Sequence, residues 1–387
     1  MRRQSRIRRR PVVATNTITW VGMDAHKNSI KVAAWLPEQA EPVEWTEDTT
    51  AEAIRRLARR LRRLAPGEVR ACYEAGPTGY GLQRLLGVEG VICEVVAPSL
   101  TPVKPGSRIK TDRRDARKLG ELLRAGLLTE VHPPSETDEA LRDLCRCRDD
   151  VRVDLLRARH RLSKFLLRRH RIYRQTKHHW GSRHMQWLAE LRFDDPMSQA
   201  TFDSYQLIVH QLDERLGQLD ARLAEFGTQE PYREKVAALR CFKGIDTVTA
   251  VCLVAELHDF QRFRSPRQLA AYVGLVPSED SSGERERRGP ITKSGNRHVR
   301  RLLVEASWHH RHRPALSRPL RARREGQPAR VIAIADRAQE RLAARFRRMS
   351  EAGKVHPKTI VAMAREMCGY LWAVLHPAAL PTRSKSA

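Results

Sequence analysis

No apolar run in this 387-residue chain approaches the roughly 20 residues that a spanning helix needs, so a transmembrane role is not expected. No apolar h-region follows the arginines at the N-terminus, which argues against a secretory signal. Cysteine is scarce and scattered: Cys72, Cys93, Cys145, Cys147, Cys241, Cys252 and Cys368 form no CxxC pair. A zinc ribbon and a disulfide framework are both unsupported, and reduced thiols are expected. Acid is in short supply too. Against 72 Lys+Arg stand 45 Asp+Glu, a formal net charge of +27. Such an excess repels itself unless a polyanion offsets it, and nucleic acid is the usual one.

The placement of four of those acids is informative. Asp24 ends the first strand of TITWVGMDAHKNSIKVAAW, and Glu74 ends the strand in VRACYEAGPTG. Asp112 and Asp115 open a helix in KTDRRDARKLGELL, where a spacing of three puts both on one face. Carboxylates gathered from three elements suit a hard divalent cation, Mg²⁺ or Mn²⁺, and leave room for phosphate oxygens. Metal-assisted phosphoryl transfer needs that arrangement. Singly, each acid reads equally well as an ordinary strand-end or helix-start residue, since the helix dipole alone favours Asp112 and Asp115.

The chain divides by pattern. Residues 1–15 form a basic arm without periodicity, expected to be disordered alone. Over 16–130, strands alternate with helices: hairpin strands through Trp20 and Val32, another at Val43–Trp45, then strand–helix units. That order predicts a mixed sheet flanked by helices on the ribonuclease-H-like plan. Over 131–234 the character changes to long helices. Leu155, Ala158, Leu162 and Phe165 recur at heptad spacing, as do Leu212, Leu216, Leu219 and Leu223. These seams predict an antiparallel pair or an intermolecular coiled coil. Between them, RRHRIYRQTKHHWGSRHMQW offers aromatics and cations for nucleic acid, or a solvated connection. Over 235–380, LRCFKGIDTVTAVCLVAEL resembles a helix-hairpin-helix. A serine-glycine loop, a basic segment and an Arg-rich helix follow. His309, His310 and His312 have no acid or cysteine at ligand spacing and read as a basic surface.

VGMDAHK, CYEAGPTGYGL, IKTDRRDARKLGELLRAG and GLVPSEDSSGERERRGPITKSGNRHVRRLLVEASW, in that order, resemble the DEDD transposases of bacterial insertion sequences, the IS one-ten family. The resemblance implies a RuvC-like N-terminal catalytic domain, a helical coiled-coil spacer and a mostly helical C-terminal transposase domain, an α/β plus α fold class. It maps the DEDD acids to Asp24, Glu74, Asp112 and Asp115. It also maps a serine nucleophile to Ser282, which precedes Gly283, with Ser281 as the neighbouring alternative. It implies donor and target DNA as partners, a bridge RNA pairing with both, action in the bacterial cytoplasm, and a homodimer or tetramer. No role in the family accounts for the basic arm.

A serine hydroxyl is a poor nucleophile unless a base, a metal or a polarised phosphate assists it. The expected chemistry is attack of Ser282 on a DNA phosphodiester, giving a phosphoserine link that conserves bond energy for rejoining. Around that loop, Arg285, Arg287, Arg288, Lys293, Arg297, Arg300 and Arg301 are candidate phosphate contacts, as is Lys110 before the acid pair. Two rivals stand beside this reading. One is a Holliday-junction resolvase or DNA invertase using the same acids without a serine adduct. The other is a non-catalytic nucleic-acid-binding derivative of a transposase.

Overall fold

A computed structural model of the chain describes residues 17–37, 39–102, 112–279 and 288–376. It divides into two units, Met1–Pro133 and Pro134–Ala387. In the first, β1 (Thr19–Ala25), β2 (Ile30–Trp35) and β3 (Val43–Glu47) form an antiparallel meander. α1 (Ala51–Leu64) leads into β4 (Val69–Glu74), and α2 (Gly81–Val88) into β5 (Ile92–Val96). α3 (Asp112–Arg124) precedes the short β6 (Glu130–Val131). The six strands run in the order β3-β2-β1-β4-β5-β6, with β1, β4 and β5 mutually parallel and β6 antiparallel.

Alternation along the strands assigns the two faces. Val21 and Met23 of β1, with Ala71 and Tyr73 of β4, pack against Ile54, Leu57 and Leu61 of α1 and Leu82 and Leu86 of α2. Their neighbours Gly22, Asp24, Cys72 and Glu74 therefore face the other way, toward α3. There Cys72 and Val96 pack on Leu119 and Leu123, and Ala33 and Trp35 on Ala116. α3 lies unusually close to β1. A Cβ built on Gly22 would overlap the carbonyl oxygen of Ala116 and the amide of Gly120, and one on Gly120 would strike the Trp35 ring. Glycine on both surfaces lets the helix backbone touch the strand.

A charged brace adds to this contact. Glu44 of β3 accepts hydrogen bonds from the guanidinium groups of Arg113 and Arg117 on α3, and Arg117 also reaches Glu41 at 3.2 Å. The bonds from Arg117 and then Arg113 hold the Glu44 carboxyl down to about 2.

In the second unit α4 (Glu136–Arg168) and α6 (Pro196–Phe226) pack side by side, with α5 (Ser182–Glu190) against them. Arg148 bonds Asp220 at 2.6 Å and Arg159 bonds Asp213 at 2.8 Å, so partner numbers fall along α6 as they rise along α4. The two helices form an antiparallel intrachain hairpin. Leu155, Ala158, Leu162 and Phe165 are buried along it, with Leu212 and Leu216 partly so. α4 starts at a Ser135 cap whose hydroxyl accepts from the Asp138 amide, and α6 at Asp195 followed by Pro196. The remaining helices are α7 (Arg233–Leu239), α8 (Thr247–Leu257), α9 (Pro266–Tyr272), α10 (Arg297–Trp308), α11 (Arg318–Arg324), α12 (Ala329–Glu351) and α13 (His356–Leu375), with a ribbon of β7 (Pro277–Glu279) and β8 (Arg288–Ile291). Their core takes in Leu141 and Cys145 from the start of α4. Among the described residues, no helix is long and apolar enough to cross a membrane.

Two readings are corrected here. His310, expected on a basic surface, is buried at 1 % exposure, and its desolvation lowers the imidazole pKa to about 4. Within the aromatic linker, His184 packs on Tyr173, Trp180 and Trp187 with centroids 4.8 to 5.6 Å apart. Trp187 stacks on His184, and Tyr173 and Trp180 meet it edge-on, so these rings contact one another rather than standing in solvent.

Two outcomes are expected. Gly22→Ala should cost about 1–3 kcal/mol in denaturant unfolding, the usual range for overpacking. Gly81→Ala, where an added Cβ meets nothing within 4 Å, should show no comparable loss. Because the folded pKa of Glu44 is depressed, its stabilisation is present above the unfolded pKa and lost as pH falls toward about 2. The stability gap between the native chain and Glu44→Gln should therefore shrink as pH drops from neutral to strongly acid.

Candidate active site

The last β1–β4 pairing is Met23 with Tyr73, so one residue further Asp24 and Glu74 stand abreast at the C-terminal ends of adjacent parallel strands. Neighbouring strands lie about 4.8 Å apart. Asp24, Glu74 and the first turn of α3 therefore converge at one end of the sheet, on one face. α3 runs antiparallel to β1: Ala116 and Gly120 meet Gly22, and Asp112, one turn earlier, reaches the level of Asp24. The close Gly22–Gly120 contact sets that reach.

His26 joins them. Its Nε2 lies 3.1 Å from Asp24 Oδ2 and 3.5 Å from Asp112 Oδ1. One ligand atom from each of Asp24, His26 and Asp112 falls within 4.8 Å of the other two. Glu74 and Asp115 are outside this set. Glu74 is exposed at its strand end, and Asp115 sits one turn along α3 from Asp112. The sequence reading passed over His26. Its signal was parity: two residues beyond Asp24, at the start of the β1–β2 turn, its side chain returns to the same face.

Electrostatics favour a cation here. Burial raises the Asp24 pKa, the His26 charge and hydrogen bond oppose that, and the charges of Asp112 and Asp115 raise it further. The Asp24 side chain is 20 % exposed, against 52 % for His26 and 54 % for Asp112. A half-buried carboxylate facing two other acids is short of positive charge. Carboxylate oxygens with one imidazole nitrogen form a donor set that Mg²⁺ or Mn²⁺ accepts. The residues present fit such an ion.

The basic candidates of the second unit have mixed duties. Arg300 donates to the carbonyls of Val273 at 2.7 Å and Ser294 at 3.3 Å. Arg301 bonds Asp149 at 2.8 Å and Glu305 at 2.9 Å. Both are tied up within the chain. Lys293, at φ 54°, and Arg297 are exposed, and Arg288 lies in β8, paired with Glu279. Lys110, Ser281, Ser282, Arg285, Arg287 and the N-terminal arm lie outside the described residues.

A buried acid that the sequence did not reveal organises this region. Glu256 of α8, 3 % exposed, takes two bonds from Arg146 of α4 at 2.8 and 3.1 Å and one from Asn296 at 2.7 Å. Burial pushes its pKa up, but the bonds from Arg146 and Asn296 outweigh that and hold it below the usual carboxylate range. Asn296 in turn caps α10, accepting from the amides of His298 and Val299 at 3.0 Å. The hairpin glycine is equally constrained: Gly244, at φ 86°, faces the carbonyl of Ala306. The start of α8 is occupied by its own Asp246, which accepts from the Thr249 amide at 2.7 Å.

Residues 21–170 match a DEDD transposase family model of the IS110 type, and residues 236–320 match one described as the transposase IS116/IS110/IS902 family. Among similar proteins, one named "Putative transposase y4qE", from Sinorhizobium fredii, is 42% identical over 95% of this chain and 90% of its own length. A "Transposase for insertion sequence element IS1533", from Leptospira borgpetersenii, is 37% identical over 87% of this chain and 97% of its own. Two family blocks in the right order, and relatives matched nearly end to end, leave one assignment: the chain belongs to the IS110 family of insertion-sequence transposases, with a DEDD domain at its N-terminal end.

Proposed function

We propose that this transposase cuts and rejoins DNA strands at the end of the β1–β4 sheet, with Asp24, Glu74, Asp112 and Asp115 as its acid set. The observation that carries the reading is the meeting of Asp24, His26 and Asp112 within 4.8 Å at the strand ends. The strand order β3-β2-β1-β4-β5 supports a ribonuclease-H-like, RuvC-like domain over 16–130. The helical hairpin answers to the coiled-coil spacer over 131–234, ahead of a C-terminal transposase domain over 235–380. Bound there, a divalent cation would polarise the scissile phosphodiester. Asp24 and Asp112 would provide its oxygen ligands, His26 would orient the Asp24 carboxylate or lend its Nε2, and Glu74 and Asp115 would supply further negative charge.

The nucleophile is Ser282, by family resemblance. Its Oγ attacks phosphorus, a P–O bond forms as the bond to the DNA oxygen breaks, and that oxygen departs with the electron pair and takes up a proton in exchange for the one the serine releases to solvent. A hydroxyl from a different DNA end reverses the step, so the broken bond is restored without an external energy source. Exposed Lys293 and Arg297 neutralise phosphate around that loop, together with Arg285, Arg287 and Arg288, and Lys110 does so just before the acid pair. A bridge RNA specifies donor and target, and joining two duplexes calls for a homodimer or tetramer in the bacterial cytoplasm.

The test combines purified protein, Mg²⁺ or Mn²⁺, element-end RNA and both DNA sites. Asp24→Asn and Asp112→Asn should each reduce strand transfer at least about 100-fold and weaken Mn²⁺ binding in electron paramagnetic resonance. His26→Ala should weaken that binding by about 10–100-fold, the usual cost of losing a group that orients a ligand. Unchanged Mn²⁺ affinity in all three variants would remove the acid cluster from the mechanism. Ser282→Ala should abolish a covalent protein–DNA adduct. An adduct that persists excludes this serine, and hydrolysed product with no adduct in the native chain favours resolvase chemistry.

A further inference from the structure

The first unit carries a second concentration of charge that the acid site does not use. α1 reads AEAIRRLARRLRRL, with arginine at 55, 56, 59, 60, 62 and 63. Its buried side, Ala53, Ile54, Leu57, Ala58 and Leu61, is spent on the sheet core, so the helix has no apolar face left for a partner. Three of the arginines have acidic or aromatic partners, and the Arg59 Nε donates to the Arg55 carbonyl at 3.3 Å. Arg55 and Arg62 flank Glu89 at 4.0 and 3.6 Å. Arg60 lies 4.1 Å over the Trp45 ring and 3.7 Å from Glu47.

Arg56, Arg59 and Arg63 are exposed and make no ion pair among the described residues. Glu52, one turn before Arg56, does not pair with it either. At 100° per residue the three fall within about 60° of arc, and they span about 10 Å along the helix. They line one open groove with Arg60, Arg62 and Glu47. Like charges one turn apart destabilise a helix by about 0.2–0.5 kcal/mol per pair. A linear row of guanidinium groups without an ion pair among the described residues, each with donors of its planar fork left over, matches a row of phosphates.

Its place in the fold separates it from the reacting centre. α1 covers the face of the sheet lined by Val21, Met23 and Tyr73, whereas Asp24, Glu74 and α3 occupy the opposite face. The row cannot share a phosphate with the acids. We infer that Arg56, Arg59 and Arg63 form a backbone-gripping surface for nucleic acid remote from the cleavage point, engaging two or three consecutive phosphodiesters without reading bases. The inference rests on the chain's handling of nucleic acid and is independent of which residues cut it.

Binding is measured by fluorescence anisotropy in EDTA, against salt, with labelled duplex DNA, single-stranded DNA and RNA in separate arms. For the triple variant Arg56→Gln, Arg59→Gln, Arg63→Gln, the slope of log affinity on log salt should fall by about 1.4–2.7 with the nucleic acid that occupies the row. The expected loss is about 0.9 per phosphate for duplex and about 0.7 for single strands. The triple Lys variant should restore most of the slope. The arm that changes identifies the ligand. Unchanged slopes in all three arms overturn the inference, as does a change confined to anionic phospholipid vesicles. Should the Gln variant fail to fold, phenylglyoxal footprinting of the native chain decides: bound nucleic acid should protect Arg56, Arg59 and Arg63, and equal reactivity with and without it overturns the proposal. Strand transfer in the same preparation reports separately on the acid site, so the two readings fail independently.

Discussion

The backbone contact between β1 and α3 is the constraint on which the acid site depends. Gly22 and Gly120 remove the two Cβ atoms that would hold helix and strand apart, and the Trp35 ring closes over Gly120. Hydrophobic burial of Ala116, Leu119 and Leu123 supplies the attraction, and the absence of side chains sets the distance. Asp112 can reach Asp24 and His26 only because the helix axis is drawn in this far. The Glu44 brace to Arg113 and Arg117 fixes the first turn of the helix, where both acids sit. Half-burying the Asp24 carboxylate beside other acids is unfavourable: desolvation first, and the charges of Asp112 and Asp115 after it, raise its pKa, and the packing beneath opposes that cost.

Much of this was legible in the sequence, because periodicity reports on faces. The apolar strands ending in Asp24 and Glu74 and the spacing of Asp112 and Asp115 placed four acids on three identifiable elements. Leu155, Ala158, Leu162 and Phe165 announced a helical seam whose partner proved to lie in the same chain. Pairings across long separations were not legible. Nothing near Glu256 in sequence indicates that Arg146, 110 residues earlier, and Asn296, 40 residues later, neutralise it. Arg300 and Arg301 look in sequence like any other basic helix residues. Only the fold reveals that one holds carbonyls and the other answers Asp149.

The distribution of cations carries a broader lesson about a chain of net charge +27. Arginines that look equivalent divide into those that hold the protein together and those left facing solvent. Arg146, Arg148 and Arg324 serve as internal fasteners to Glu256, Asp220 and Asp336. Arg56, Arg59 and Arg63 fasten no acid among the described residues, and only the Arg59 Nε is engaged, on the Arg55 carbonyl. Counting basic residues around a loop therefore overstates its affinity for phosphate. The useful quantity is the number left once intramolecular acids and carbonyls have been satisfied.

α4 belongs to two cores at once. Its first turns are buried with α7 and α8, while its later turns form the seam with α6. At about 1.5 Å per residue its 33 residues make a strut about 50 Å long. Arg146 on Glu256 and Arg148 on Asp220, two residues apart in its first half, anchor it between those cores. From that anchorage to Arg168 the helix runs about 30 Å, so a tilt of about 5° there would carry the far end about 3 Å, and Asn296 on the same Glu256 would link such a tilt to the start of α10.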